Sequence, residues 1–269
     1  MPNVKKTWLV AGTSIGIVGS LYTYTGVSWY SGIPKTKFHF FDDSHEWKQM
    51  DKIGHAWTAY QESKMVNELL IWAGHNRKTR GLVTALAGFC FQAPLEVFDG
   101  YTAKWGASVT DLIANASGAL LAAINVWAFD KQKIQLKFSF HRTPYADQFP
   151  DLFGKGITSI FKDYNGQTYW LVGNINDFIK KDNKFPRWLN IAIGHGAQGL
   201  QGGYGKIDKK ILQQTEFRQW YLAPDIQFSK LPTQNTFLKV VYFVLDAVHI
   251  PLPAIEWNKH YLRWHWIYF

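Results

Sequence analysis

Cysteine is almost missing. Cys90 stands alone in 269 residues, which excludes an internal disulfide framework. It lies in Leu86-Ala87-Gly88-Phe89-Cys90-Phe91, an apolar run that reads as holding a buried, inert thiol rather than a nucleophile. Dense arginine-lysine helices, zinc-ligand spacing and an aromatic RNA-binding signature are missing too. Their absence argues against a nucleic-acid partner, although the net charge of +9 would attract any polyanion. No Gly-x-Ser-x-Gly elbow or phosphate-loop lysine occurs, and no fixed-period repeat. Gly194-His195-Gly196-Ala197-Gln198-Gly199 has dinucleotide-type spacing, but more glycines follow where a helix would have to open. That run reads as a flexible loop between strands. No cofactor is expected, and no metal site is assigned.

Aromatic side chains are plentiful instead: 13 Trp, 13 Tyr and 19 Phe, 17% of the chain. Such amphipathic rings favour boundaries between apolar and wet surroundings, the membrane interface among them. Lys5 and Lys6 precede an uncharged stretch from Thr7 to Pro34. A positive start and an apolar run make residues 1–31 a signal or membrane-anchor segment, with Gly26-Val27-Ser28 as a weak cleavage site. The plain alternative is a buried apolar helix.

The rest divides near Asp130 into a helical part, 32–130, and a strand-rich part, 131–269, giving an α+β fold class. Three helices are expected in the first part. One runs from about Met50 to Ala73 with a stripe of Ile53, Trp57, Tyr60, Leu69 and Trp72, and Gly74-His75-Asn76 breaks it. The next covers Thr79 to Phe98, where Pro94 should kink it or split off its last turn. The third opens on Ser108 as N-cap, with Asp111 at the third position, and continues to Phe129.

From Ile134 to His141 apolar and polar residues alternate, as in a half-buried strand. Further strands are expected at 168–175, 188–193, 217–228 and 254–269, separated by turns at Tyr164-Asn165-Gly166, Lys184-Phe185-Pro186 and the glycine-rich 194–205. Phe237 to Ala247 suits a short helix or a buried strand. The aromatic end, Tyr261 to Phe269, resembles the closing strand of an outer-membrane barrel. Five or six strands are too few for eight, so a small sheet or partial barrel is expected.

Acidic, amide and imidazole groups recur at helical spacing within apolar segments. Asp51 and His55 are four apart, as are Asp111 and Asn115; Glu96 and Asp99 are three apart. A charge on an apolar helix costs several kcal/mol unless paired, so these groups should converge. Asp51, His55, Glu96, Asp99, Ser108, Asp111 and Asn115 are therefore expected to form a structural polar network. Were the protein an enzyme, His55, Glu96, Asp99 and Asp111 would be its metal ligands or acid–base groups. Ala114, Gly118 and Ala122 form a small-residue row for close helix packing.

The string Asp51-Lys52-x-x-His55, Glu96-x-x-Asp99-Gly100, Trp105-Gly106-x-Ser108-x-x-Asp111-x-x-x-Asn115-x-x-Gly118 resembles bacterial domain-of-unknown-function family 2279, envelope lipoproteins of the YfiM type. The order is also similar, more distantly, to VanZ-type membrane proteins. The resemblance covers residues 45–125, and the back half is similar to longer members found in the Bacteroidetes. It implies an envelope location, at the periplasmic face of the outer membrane, but no activity. The acylated cysteine of a lipoprotein is not matched.

These readings converge on a non-catalytic envelope protein, an accessory subunit docking on an outer-membrane secretion or assembly machine, with membrane contact and no nucleic acid. The rivals are a metal-dependent hydrolase acting on envelope lipid or a cell-wall precursor, and a small outer-membrane lipid-binding barrel.

Overall fold

The structure, a computed structural model, describes residues 2–30, 32–179, 185–202 and 215–269. Lys184 and residues 203–205 of the expected turns lie outside them. The chain forms two compact units: residues 1–44 with 52–132, and residues 45–51 with 133–269.

Four long helices dominate the first unit: α1 (Val4–Trp29), α2 (Met50–Trp72), α3 (Arg77–Gly100) and α4 (Val109–Phe129). The side chain of Asn3 caps α1 through Lys6 N, that of Asn76 caps α3 through Thr79 N, and Ser108 caps α4. α3 continues past Pro94 to Gly100 without losing its last turn, a correction to the expected split. α1 lies along this unit, with Val10 buried among Val66, Leu70 and Ala87.

Glycines decide how closely the helices approach. A methyl group at Gly88 would lie 2.1 Å from Ala59 O, and one at Gly118 would lie 1.9 Å from Ala56 O. Both carbonyls belong to α2, so α3 and α4 meet it backbone to backbone. Ala114, Ala119, Ala122 and Ala123 line the same buried side of α4.

In the second unit, six antiparallel strands follow chain order: β1 (Ile134–Phe140), β2 (Gln167–Asn174), β3 (Leu189–Gln198), β4 (Phe217–Ile226), β5 (Leu252–Asn258) and β6 (Leu262–Tyr268). Gly194 to Gln198, expected as loop, are the second half of β3, where Gly194 leaves room for the Trp170 ring. The final stretch is two strands rather than one. Short helices α5 (Pro144–Gln148), α6 (Pro150–Phe153) and α7 (Ser159–Lys162) join β1 to β2, and α8 (Thr236–Leu245) joins β4 to β5. Among the described residues β1 and β6 do not pair, so the sheet is not a closed barrel. The free edge of β1 is instead met by Val248, with Phe138 N donating to Ala247 O (3.1 Å) and His249 N to Phe138 O (2.8 Å).

Before α2, Trp47, Lys48 and Gln49 all have left-handed backbone, with φ of 50°, 53° and 62°. Each such non-glycine residue costs about 1–2 kcal/mol. Arg218 compensates locally, donating to Lys48 O (3.0 Å) and to the Gln49 side chain.

Candidate functional site

Residues 35–41 run beside the α3–α4 connection: Thr36 N donates to Tyr101 O, His39 N to Gly100 O and Phe41 N to Ala107 O. This pairing carries Asp43 to the N-terminus of α4. There Asp43 Oδ1 accepts from Ser108 Oγ (2.6 Å) and Thr110 Oγ1 (2.9 Å). Lys52, on the first turn of α2, bridges two carboxylates, pairing with Asp43 Oδ2 and lying 2.7 Å from Asp111 Oδ1. Burial alone would push the Asp43 carboxyl up. The hydrogen bonds from Lys52 and Ser108 more than offset it, holding Asp43 below the ordinary aspartate value.

Ser108 Oγ also accepts from Asp111 N (3.1 Å), as an N-cap should. The reciprocal half of a capping box is missing, however: Ser108 N donates to Glu96 Oε2 (2.9 Å) on α3, and the Asp111 carboxylate turns to Lys52. His55 Nδ1 lies 3.2 Å from Asn115 Oδ1, and its Nε2 lies 3.8 Å from Asp111 Oδ2. His55, Glu96, Ser108, Asp111 and Asn115 therefore meet, joined by Asp43, Lys52 and Thr110. Asp43 lay outside the expected set because nothing in its loop has helical spacing.

Asp51 also reaches this knot: its carboxylate, which accepts from the Tyr164 hydroxyl at Oδ1 (2.6 Å), has an oxygen within 4.8 Å of ligand atoms of His55 and Asp111. Asp99 faces the Tyr30 phenol, and its like charge helps raise the Glu96 carboxyl.

These residues fall within a recognised segment. Residues 39–126 match the family DUF2279, described as a predicted periplasmic lipoprotein. This segment belongs to that family. The match takes in Lys52, His55, Glu96, Ser108, Asp111 and Asn115, together with Asp43, and its description is that of a cell-envelope protein. No curated protein and no solved structure matches the chain.

Beyond the knot, the family segment is turned inside out. Lys64, Asn67, Arg80, Gln92 and Asn125 are buried, while Leu82, Leu86, Val97, Ile113, Leu120 and Ile124 are exposed. Of the expected α2 stripe, Tyr60 is fully buried, Ile53, Trp57 and Leu69 are half-buried, and Trp72 is 49% exposed, while the polar Ser63, Lys64 and Asn67 also face in. Cys90, expected to be buried, is exposed on α3. α3 and α4 are long and apolar enough to cross a membrane, and only 33% and 44% of their apolar windows are buried. The core helix of a soluble domain would be mostly covered.

β1 shows the same reversal, although the inner side of the sheet also holds an apolar cluster around Trp170, Val172 and Tyr221. On β1 the buried residues are Gln135, Lys137 and Ser139, opposite to a strand resting its apolar face on a core. Lys137 Nζ lies 2.8 Å from Asp225 Oδ2 and donates to Ile226 O (2.7 Å). Asp225 also accepts from Asn190 Nδ2 (2.8 Å) and lies 2.9 Å from His249 Nδ1, whose ring stacks on Trp170. Burial opposes ionisation of Asp225, but His249 and Lys137 prevail and hold its carboxyl below the usual range. A second inward group joins Glu256, His265, Gln219 and Asn258. Facing out, Leu136, Leu171, Ile193, Leu222, Ile255 and Trp264 are paired strand to strand in a row across all six strands. The alternation that signalled a strand was legible; which face went inward was not.

Proposed function

We propose that this chain is a membrane-embedded, non-catalytic protein of the cell envelope, held on the periplasmic side of the outer membrane as an accessory subunit of a secretion or assembly complex. One observation carries this reading: each unit buries ion-paired and amide side chains while leaving many Leu, Ile, Val and Trp side chains exposed. In water the outward Leu, Ile and Val side chains of α3 and α4 would remain unburied, whereas acyl chains cover them. Inside, where no water competes, every charge needs a partner. Lys52 with Asp43 and Asp111, and Lys137 with Asp225, supply such partners. The tryptophans on the outer side of the sheet, Trp220, Trp257, Trp264 and Trp266, are of the residue type that anchors interfaces, and they support docking on a partner.

Membrane fractions washed with alkaline carbonate test the first half of this reading. The chain should stay with the lipid and leave only in detergent; release by carbonate alone would sink it. Affinity isolation of the tagged protein from detergent extract, with mass spectrometry, tests the second half. A stoichiometric outer-membrane companion is expected, and recovery of the chain by itself would count against docking.

One detail favours a second reading, metal-dependent hydrolysis of an envelope lipid or cell-wall precursor. Glu96 Oε1 and Asn115 Nδ2 are buried without hydrogen-bond partners beside the knot containing His55. Elemental analysis of purified protein decides here: this reading requires a bound divalent metal that a His55→Ala variant loses.

A further inference from the structure

A cavity of about 530 Å³ lies in the strand-rich unit where β4 begins and β5 ends, beside the left-handed segment at Lys48. Lys48, Arg218, Lys259 and Glu216 give it polar walls, and the rings of Trp220 and Trp257 give it an apolar one. Among the described residues, three cations therefore face a single carboxylate. Lys48 Nζ stands 3.5 Å from Glu216 Oε2 and satisfies it. Arg218 spends its donors on neutral oxygens, Lys48 O and the Gln49 amide, so its charge is not cancelled. Lys259 is exposed and has no ion-pair partner among the described residues. His195, whose ring lies 4.5 Å from that of Trp220, registers the field: burial and then the Arg218 charge push its pKa down to about 4. At neutral pH it stays uncharged.

The backbone here is bent at a cost. Trp47, Lys48 and Gln49 are left-handed in succession, and the segment is held by Arg218 and by the Trp47 ring against Tyr164, centroids 5.1 Å apart. Strain of this kind persists where it places a side chain for use. In this segment it sets Lys48 at the cavity wall. Trp220 and Trp257 are directly paired between β4 and β5, and the neighbouring outward pair is Leu222 and Ile255. An apolar surface thus leads out of a cationic cavity.

We infer that this cavity holds the phosphate headgroup of an anionic membrane lipid, with the lipid's apolar part lying over Trp220, Trp257 and the outward row beyond them. Inorganic phosphate carries the same anion, but it would leave the two indoles without a role. Lysine and arginine supply the charge attraction, and interfacial tryptophans are at home between headgroup and acyl chain. The inference rests on the membrane-contact reading above.

Calorimetric titration of the full chain in nonionic detergent tests it with three probes: dihexanoylphosphatidylglycerol, dihexanoylphosphatidylcholine and inorganic phosphate. The phosphatidylglycerol should bind saturably, and the other two about tenfold more weakly or not at all. A Lys48→Ala/Lys259→Ala variant should lose about tenfold in affinity for phosphatidylglycerol while its unfolding temperature stays near that of the parent. Equal binding of the choline lipid, equal binding of free phosphate, or an unaffected double variant would each overturn the inference. A chain that resists carbonate yet ignores phosphatidylglycerol would defeat this site and leave membrane embedding intact.

Discussion

Gly118 on α4 sits against the backbone of α2 at Ala56, so close that a methyl group on it would lie 1.9 Å from the Ala56 carbonyl oxygen. A carbonyl in a helix cannot swing aside as a side-chain tip can. Gly118→Val should therefore separate α2 from α4 and cost about 3 kcal/mol, at the upper end for overpacking. Thermal unfolding in detergent checks this, and Ser117→Ala, on the exposed side of α4, serves as a control that should leave the midpoint unchanged. An unshifted midpoint for Gly118→Val would show that the helices do not touch there.

Lys52 is ion-paired with both Asp43 and Asp111. Lys52→Met would leave two buried carboxylates without their cation and should cost about 3–5 kcal/mol. Adding Asp43→Asn and Asp111→Asn removes the stranded charges and should recover most of that loss. A triple variant no more stable than Lys52→Met would refute the pairing.

Acid should act through the same residues. Asp43 has a folded pKa below its unfolded value, so its contribution is complete above the ordinary aspartate range and disappears as pH falls through the depressed folded value. Asp225 behaves alike in the strand-rich unit. Unfolding followed from pH 7 downward should thus lose the Asp43 and Asp225 contributions only below about pH 4. An earlier loss comes from His195, whose folded pKa of about 4 lies below its ordinary value. Lys137→Met should move the acid midpoint upward, because Asp225 then loses part of what holds its pKa down. No movement would mean that Lys137 does not sustain the Asp225 charge.

Cys90 offers a direct probe of the outward face of α3, where it shares a side with Leu86 and Val97. In intact membranes it should react with an apolar, membrane-permeant maleimide and resist a charged, water-soluble one. In detergent solution both should label it. Fast reaction with the charged reagent before solubilisation would place α3 in water.

Most elements were legible because their cues are local. Ser108 capped the helix it was expected to cap, and β1, β2 and β4 began within a residue of where alternation started. Local cues failed where a residue answered to something distant. Gly194 looked like loop material, yet it lies in a strand because the Trp170 ring fills the space a side chain would have taken. Pro94 was expected to kink α3 or split off its last turn, and the last turn was not split off. In the polar network, helical spacing found His55, Glu96, Asp111 and Asn115. It also found Asp51, which has an oxygen within 4.8 Å of ligand atoms of His55 and Asp111 while accepting from Tyr164, 113 residues away. It missed Asp43, which reaches them from a loop paired to the α3–α4 connection.

What the sequence determined by itself was periodicity: where helices and strands run, which residues share a side, and that polar groups on those sides must find one another. Periodicity carries no sign, so it cannot tell the side that meets other protein from the side that meets the surroundings. That choice was made only by tertiary packing. Glycines at 88 and 118 let the helices close over Lys52 and its partners, and Lys137 found Asp225 and His249 within the sheet, so polar sides could turn inward without stranding a charge. The apolar sides were thereby left facing out.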